Sequence, residues 1–516
     1  MHNVKRVKFS LYFFFILCIT NNKNRLILFY IKCLMQLKKL FAILFCNVLP
    51  YFIFGQENLI FTNDQYSGIN SAIVSPTQPF LNPNPWDVNL LAEDIFFNTD
   101  YAYISKQSFL GLATGSEIKS LDVKNNINGE NTPSVLDFYN KELGNYHLSS
   151  DILGPSFSLK TKIKDKEFNF GLFTRLRTQS SAVNVDNYLK FSNQKIEEPE
   201  FYLLQPLEIN VMNWGEVGLN VATEIFTNSD YQWVLGANFK YEIGFDALNV
   251  KSKSPVILNR ITGEIDGVEE KTIFASNYTI EANYATNYNF ETDRYEFKQK
   301  GKGFGFDFGI AFIDRFQEEE NYKLKMSLNI LDVGKINFTG EKHLFQGQTL
   351  KIINNPNLEN VKFESPNQYL QLLSEEVYGN KNTSLQGTDF QMGLPTSLHF
   401  NFSKNIGGNH YFNADLIQRA PIFENSLKRS NVLQASYSVQ KPVVGYGASM
   451  SLYEYRSLQF GGYLRLGPII LGSTNFLPFV LKQNKLHSGD FYIAIKIYPF
   501  WDNEMKRHRR ADCNCK

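Results

Sequence analysis

The chain has 516 residues, a formal net charge of +1 and 15% aromatic residues, including 45 Phe and 27 Tyr. The near-neutral charge argues against a nucleic-acid-binding protein, which would carry a basic excess. A helical membrane protein would need long apolar runs, and none occurs after residue 56. Many aromatic residues together with a mean hydropathy of −0.26 fit strands that face lipid on one side and water on the other.

Two apolar segments open the chain. The first is Ser10–Thr20, and the second begins at Met35 with two lysines, an apolar run and the small residue Gly55. The second has the layout of a secretory signal peptide. We therefore predict that Met35 is the true start, that residues 1–34 are a mis-assigned leader and that residues 35–55 are the signal peptide. The alternative is that the two segments are a pair of membrane anchors.

The cysteines avoid the body of the chain; they are Cys18, Cys33, Cys46, Cys513 and Cys515. A body without cysteine suits a protein that crosses an oxidising periplasm and forms no disulfides. It also excludes a cysteine nucleophile or a thiolate metal site in the body.

After the predicted signal peptide, residues 56–85 form an irregular segment rich in Asn, Pro and Gly. We predict that this segment is a plug or a cap. Residues 86–500 then alternate apolar and polar positions over long stretches, as in Phe304-Gly305-Phe306-Asp307-Phe308. A soluble β-sandwich also alternates, but its strands are usually shorter. The pattern therefore predicts an all-β fold, a transmembrane antiparallel β-barrel with large loops.

The predicted strands follow in chain order, with boundaries good to a few residues. Because bacterial single-chain barrels have even strand numbers, we predict about 14 strands. One helix is predicted at Pro366–Val377 with Ser365 as its N-cap, and residues 501–516 are predicted to be a basic periplasmic tail. Fifteen ranges are candidates, one more than the even number that we predict: 86–104, 153–163, 168–176, 214–226, 231–245, 272–290, 302–314, 322–338, 391–404, 410–419, 431–440, 443–454, 457–467, 468–476 and 489–500.

Several short motifs resemble a known family. The segments at 66–72 (YSGINSA) and 86–90 (WDVNL), with ILDVGKI at 330–336, GLPT at 393–396 and GPIILG at 467–472, resemble Bacteroidota outer-membrane barrels of the DUF5723 type. That family is distantly similar to fatty-acid-transporter-like barrels, which include accessory proteins of the type IX secretion system. The resemblance implies the barrel fold, and no catalytic or binding residue comes with it.

Candidate chemistry is sparse. His399 shares the polar parity of its strand with Ser397 and Asn401, the residue types of an outer-membrane phospholipase site. The alternative is a hydrated cluster in the lumen, which we favour. Asp332 lies near a predicted strand end, where a turn-capping carboxylate is favoured over a calcium site. We predict no catalytic, cofactor-binding or metal-binding residues, no cofactor and no enzymatic activity.

Charged residues also fall on the inward parity of the predicted strands. Their mixed signs predict a lumen crossed by salt bridges, and not an ion-selective pore. They are Arg175, Arg177, Lys323, Lys325, Lys496, Glu216, Glu224 and Asp307.

Two functions remain open from the sequence, both in the bacterial outer membrane. The first is a non-enzymatic binding or accessory subunit of a cell-surface or type IX secretion assembly, with a plugged lumen and ordered loops. The second is a transporter of hydrophobic small molecules, with an apolar pocket near the N-terminal segment and a lateral opening at a strand kink such as Pro395 or Pro442. The predicted partners are outer-membrane lipid and either secretion or surface proteins or a hydrophobic small molecule; nucleic acid is excluded.

Overall fold

The computed structural model describes residues 59–113, 118–120, 134–139, 143–186, 199–265, 268–292, 294–315, 321–353, 355 and 365–499. The predicted leader, signal peptide and basic tail lie outside these residues.

The strands close into an antiparallel barrel of 14 strands, which confirms the predicted fold and strand number. The ring is closed by β1 and β14, which pair from Val88↔Ile497 to Asn98↔Ser488. Each other strand pairs with its neighbours in the chain. The strands are β1 Trp86–Thr99, β2 Leu143–Leu153 and Ser156–Ile163, β3 Lys166–Asp186, β4 Glu208–Thr227, β5 Tyr231–Ser252, β6 Gly301–Arg315, β7 Tyr322–Ile353, β8 Leu385–Gly393 and Ser397–Gly407, β9 His410–Arg419, β10 Val432–Gln440, β11 Val444–Tyr453, β12 Ser457–Leu466, β13 Ile469–Ser473 and β14 Ser488–Ile497.

The two ends of the barrel differ. Short hairpin turns join β2 to β3, β4 to β5 and β8 to β9 at one end, where β1 also begins and β14 stops. At the turn between β2 and β3, Lys164 and Asp165 have φ of 49° and 66°, the left-handed pair that a two-residue type I′ hairpin requires. The other end carries all the long connections. Short turns mark the periplasmic end of an outer-membrane barrel.

Side chains alternate between a lipid-facing outside and a filled inside. On β6, Phe304 and Phe308 are each 52% exposed on the outer face, whereas Asp307 between them is 1% exposed. Neighbouring strands repeat the pattern, because Phe239 and Leu219 point outwards while Asn238 and Asn220 are buried. The outer face therefore forms an apolar band and the inner face carries the polar groups.

The long connections fold into further structure. A small sheet pairs Ala102–Gln107 with Gln483–Leu486 and with Ser134–Phe138, which in turn pairs with Ile118–Ser120. The predicted helix is present at Pro366–Tyr378, and Ser365 accepts a hydrogen bond from the Gln368 amide as its N-cap. The remaining strands are Glu200–Leu204, Val256–Ile265, Val268–Ala285, Tyr288–Asn289 and Arg294–Tyr295, and the remaining helices are Leu59–Thr62, Phe109–Ala113 and Leu477–Val480, with 3₁₀ turns at Gly68–Ser71 and Gln78–Leu81. None of the helices in the described ranges is long and apolar enough to cross a membrane.

Several sequence-based strand boundaries were wrong. The first predicted strand ends at Thr99, and its last residues belong to the small sheet. The strand predicted at 322–338 continues to Ile353, so Asp332 lies in its middle and not near its end. The strand predicted at 391–404 is interrupted at 394–396, because Pro395 has no amide to donate to the ladder.

We expect a charge on the outer face of β6 to block membrane insertion. Phe308→Arg places an Arg in the apolar band, which costs about 2–4 kcal/mol near the bilayer midplane. Lys302→Arg, on the same strand beyond the band, is the matched control. Heat-modifiability on a gel measures the folded fraction, and an unchanged folded band for Phe308→Arg would contradict this assignment of the outer face.

Candidate functional site

Residues 59–85, here called the inner segment, lie inside the barrel. Almost every residue from Leu59 to Asn84 is buried. The segment hydrogen-bonds to the inner face of strands all around the ring, in the pairs Asn63 to Asp415 of β9, the Gln65 amide to Gln440 of β10, Ser75 to Asn329 of β7, Asn220 of β4 to the Pro76 carbonyl and Asn238 of β5 to the Ala72 carbonyl. The inner segment therefore fills the ring from wall to wall.

One buried ion pair joins the inner segment to β12. Asp64 Oδ2 lies 3.0 Å from Arg465 Nε, and both side chains are fully buried. Tyr463 donates a hydrogen bond to the same carboxylate. The Arg465 guanidinium also stacks over the Tyr66 ring at 4.7 Å and donates to the Pro442 carbonyl. Pro442 therefore lies in a hairpin turn that Arg465 holds in place. The predicted strand kink at Pro442 is absent.

A second buried ion pair joins β1 to β14 beneath the inner segment. Lys496 Nζ lies 2.6 Å from Asp87 Oδ2 and also donates to the Tyr66 carbonyl. The Asp87 carboxylate accepts a hydrogen bond from the Ile69 amide at 3.2 Å. Gly68 has a φ of 53°, and a Cβ there would overlap this carboxylate. The YSGINSA and WDVNL motifs are therefore in direct contact with each other, through Gly68, Ile69 and Asp87.

Apolar side chains of the inner segment cover three patches of the inner wall. Ile60, Phe61, Ile69 and Ala72 pack on a first patch, Leu59 and Val74 on a second, and Phe80 on a third. The wall residues of the first patch are Ala92, Leu153, Phe173, Tyr463, Ile470, Tyr492 and Ala494; those of the second are Phe96, Leu331, Ile417, Val432 and Tyr453; those of the third are Ala222, Val234, Ala311, Ile313, Tyr322 and Tyr411. The lumen is thus not uniformly polar.

A charged cluster lies farther up the lumen, around Asp332. The β6–β7 register shifts here, so that a bulge turns both Leu331 and Asp332 inwards, and Asp332 has a φ of 54°. Its carboxylate binds Arg177 at 3.0 Å, Lys240 at 2.5 Å and Arg429 at 2.8 Å. Asp332 is therefore a shared counter-ion for cations from three separate parts of the chain, and not the turn cap that its sequence position suggested.

Around this centre the predicted inward charges come together. Arg175 and Arg177 bind Glu216 and Asp151, and Lys240 binds Asp307 at 2.9 Å. Glu242 is paired in register with Glu216, is fully buried, and neither of its carboxylate oxygens has a hydrogen-bond partner. The predicted salt-bridged lumen is present.

The other charged residues predicted to face inwards differ in burial. Lys325 and Lys496 are buried, and Lys325 donates to Gln78 of the inner segment. Glu224 sits near a turn with Thr227 and Gln232. Lys323 was assigned to the wrong face: it is partly exposed and lies 3.5 Å from Asp314. The β6–β7 register shifts at this point, so that Tyr322 and Lys325 both face inwards and Lys323 between them does not.

Residues 420–431, here called the inner loop, cross the lumen from the opposite end. The Lys428 amide donates to Ser181 of β3, Asn210 of β4 donates to the Ser426 carbonyl, and Arg429 reaches Asp332. GLPT and ILDVGKI meet at the same place, where Thr396 donates to the Asp332 carbonyl at 2.7 Å. The inner loop was not foreseen, because its polar sequence resembles that of an ordinary surface loop.

His399 is buried against the inner segment. Its Nε2 lies 3.0 Å from Asp415 Oδ1, and its Nδ1 lies 3.1 Å from the Val74 carbonyl. Ser397 instead accepts a hydrogen bond from Arg429, and Asn401 donates to Asp415. The three residues therefore hold the inner segment and the inner loop in place, and they do not form a nucleophile–base pair. Across the described ranges, no cluster of His, Cys, Asp or Glu could hold a metal ion.

Two small cavities remain within this packing. One of about 20 Å³ lies between the inner segment and the wall, lined by Thr62, Asn70, Ile73, Ala92, Asp94, Asp151, Leu153 and Tyr492. Another of about 20 Å³ lies under the inner loop beside Arg177 and Arg429. Each is large enough for about one water molecule.

A closed antiparallel barrel with an apolar band outside and ordered polar groups inside is an outer-membrane β-barrel protein. The chain belongs to DUF5723, a family of unknown function, and the match covers residues 82–473. No curated protein matches the chain.

Among solved structures, the chain is similar to the P. putida toluene transporter TodX, with 7% identity, a TM-score of 0.29 and 84% of this chain and 94% of that chain covered. The Ralstonia pickettii toluene transporter TbuX gives 9% identity, a TM-score of 0.27 and coverage of 84% and 94%. A Pseudomonas aeruginosa FadL homologue is 8% identical, with a TM-score of 0.22 and with 86% of this chain and 99% of that chain covered.

We expect Gly68→Ala to dislodge the inner segment. The new Cβ would meet the Asp87 carboxylate in addition to the left-handed backbone cost. Gly379→Ala is the matched control, because Gly379 has a φ of 70° but no heavy atom within 4 Å of its Cβ position. The urea midpoint of the folded band should fall more for Gly68→Ala; equal midpoints would mean that the contact with Asp87 is unimportant.

We expect the charge of Asp332 to hold the cluster together. Asp332→Asn keeps the left-handed backbone accessible but leaves Arg177, Lys240 and Arg429 without their shared counter-ion, and breaking a buried ion pair costs about 3–5 kcal/mol. Asp389→Asn, at an exposed position, should leave the urea midpoint unchanged. A wild-type midpoint for Asp332→Asn would show that the neighbouring carboxylates suffice.

Proposed function

We propose that the protein transports a hydrophobic small molecule across the outer membrane, and that the inner segment and the inner loop gate the lumen. The observation that carries this proposal is the set of three apolar wall patches that the inner segment covers. A purely polar pore has no use for such patches, because water does not wet them favourably.

The bonds that hold the inner segment suit a movable element. Its hydrogen bonds and ion pairs to the wall can be replaced by water when the segment withdraws, since a water-mediated bond is nearly as favourable as a direct one. The apolar patches have no such replacement in water. An apolar ligand could cover them, and Phe61, Val74 and Phe80 occupy its place in the closed form.

The wall also breaks beside the first patch. β2 is interrupted at Gly154–Pro155, and Asn89 of β1 fills the gap by donating to the carbonyls of Leu153 and Gly154 at 3.1 and 3.0 Å. The cavity lined by Ala92 and Leu153 lies against this break. A molecule bound on the first patch would therefore lie next to a position where β1 and β2 are joined through a side chain and not through ladder hydrogen bonds.

Uptake of N-phenyl-1-naphthylamine, which fluoresces in apolar surroundings, tests this proposal in cells that express the protein. Asp64→Asn should raise the uptake rate several-fold, because it weakens the anchor of the inner segment while Arg465 keeps its carbonyl acceptors. Adding Ile417→Asn, which makes the second patch polar, should reverse the gain.

Controls separate the outcomes. Asp389→Asn should leave uptake unchanged, and heat-modifiability checks that each variant folds. If arabinose permeation rises as much as dye uptake, the lumen is a non-selective pore. If no variant exceeds the empty host, the transport proposal is wrong.

A second candidate function is a binding or accessory subunit of a cell-surface or type IX secretion assembly. The observation that favours it is the folded layer at the loop end, where a four-stranded sheet and the helix Pro366–Tyr378 present ordered surface away from the membrane. Under this alternative the inner segment is a permanent filling, and the dye experiment gives no uptake for any variant.

A further inference from the structure

The upper half of β8 leaves one edge open at the loop end of the barrel. Leu385–Gly393 pairs with β7 on one side, from Lys335↔Gly393 to His343↔Leu385. The lower half pairs with both β7 and β9, but β9 stops at Arg419, opposite Ser397. Within the described part of the chain, no strand pairs with the second edge of the upper half, and only the inner loop touches it at Gly393.

The contact at Gly393 shows which backbone groups face this edge. The Gly393 amide donates to the Asn425 carbonyl, and the Leu427 amide donates to the Gly393 carbonyl. Both backbone groups of Gly393 therefore point away from β7. Because direction alternates along a strand, the N–H and C=O groups of Gln391 and Asp389 point the same way. The inner loop thus forms one isolated parallel β-bridge with this edge, between Ser426 and Gly393.

A cavity of about 340 Å³ lies along the open edge. Asp389 and Gln391 line one side and Phe423 and Glu424 of the inner loop line the other, with Lys335 and Lys342 at its base. Both signs of charge are present, so the lining does not select strongly for an anion or a cation.

The edge stands beyond the apolar band of the wall. Lys302, Asn337 and Gln391 share one register row, two residues above the row of Phe304, Lys335 and Gly393. The outward residues of β6, β7 and β8 are therefore polar at this height, and the open edge faces water and not lipid.

We propose that this edge, Gly387–Gln391, is a docking site for an extended peptide segment of a partner protein, which adds as a strand beside β8. A row of N–H and C=O groups at a sheet edge is a template for pairing with another strand, and addition of a strand to an exposed edge is a common mode of peptide recognition. The inner loop forms the far side of the cavity, and its β-bridge at Gly393 marks the lower end of the docking site. This proposal is independent of the transport function.

A backbone-specific pair of variants tests the proposal. The probe is a fluorescein-labelled (Thr-Val)4 peptide, titrated into the full chain in detergent micelles and followed by anisotropy. Gln391→Pro removes the outward N–H, and proline is tolerated on sheet edges; it should weaken binding at least tenfold. Gln391→Ala removes only the side chain and should bind within about twofold of wild type.

Hydrogen exchange on the wild-type protein provides a second readout, needed if Gln391→Pro fails to fold. The amides of Asp389 and Gln391 should exchange quickly in the free protein and slow when the peptide is added, whereas the Met392 amide should be slow in both. Absence of saturable binding, equal affinities of the Pro and Ala variants, or slow exchange at Asp389 and Gln391 without peptide would each overturn the proposal. A dimer of the wild-type chain that Gln391→Pro abolishes would also overturn it, because the occupant would then be a second copy.

Discussion

Everything in this structure depends on one requirement of the bilayer: no backbone N–H or C=O group is left unpaired in lipid. A sheet meets this requirement only by closing on itself, and the pairing of β1 with β14 closes it. Once the ring is closed, successive side chains of each strand point alternately outwards and inwards. One parity meets lipid and must be apolar; the other meets the lumen and must find partners there.

The lumen then sets a second problem, because charged and amide groups face inwards on most strands. The chain satisfies them with its own segments in place of bulk water. Asp64 and Asp87 fix the inner segment through Arg465 and Lys496. Asp332 collects cations from β3, β5 and the inner loop. The motifs that resemble the family meet at these two places, which explains why they are short and far apart in the sequence.

The two fillings differ in kind. The inner segment combines polar anchors with apolar contacts on three wall patches, whereas the inner loop is held mainly by hydrogen bonds and the Arg429–Asp332 pair. The interruption of β8 at Pro395 has a separate consequence, because it lifts half a strand above its neighbour and leaves an edge in water.

The sequence by itself determined the fold class, the number of strands, the inward parity of Arg175, Glu216 and Asp307 and the helix at Pro366, because alternation and capping are local properties of neighbouring residues. Only the tertiary structure decided what those inward charges bind. The bulge at Asp332 depends on register with β6, and Arg429 reaches it from a loop whose composition shows nothing unusual. His399 and Asp415 meet through strand pairing and the carbonyl of Val74. His399 and Val74 are 325 positions apart in the sequence, and closure of the ring, which no local pattern encodes, brings such residues together.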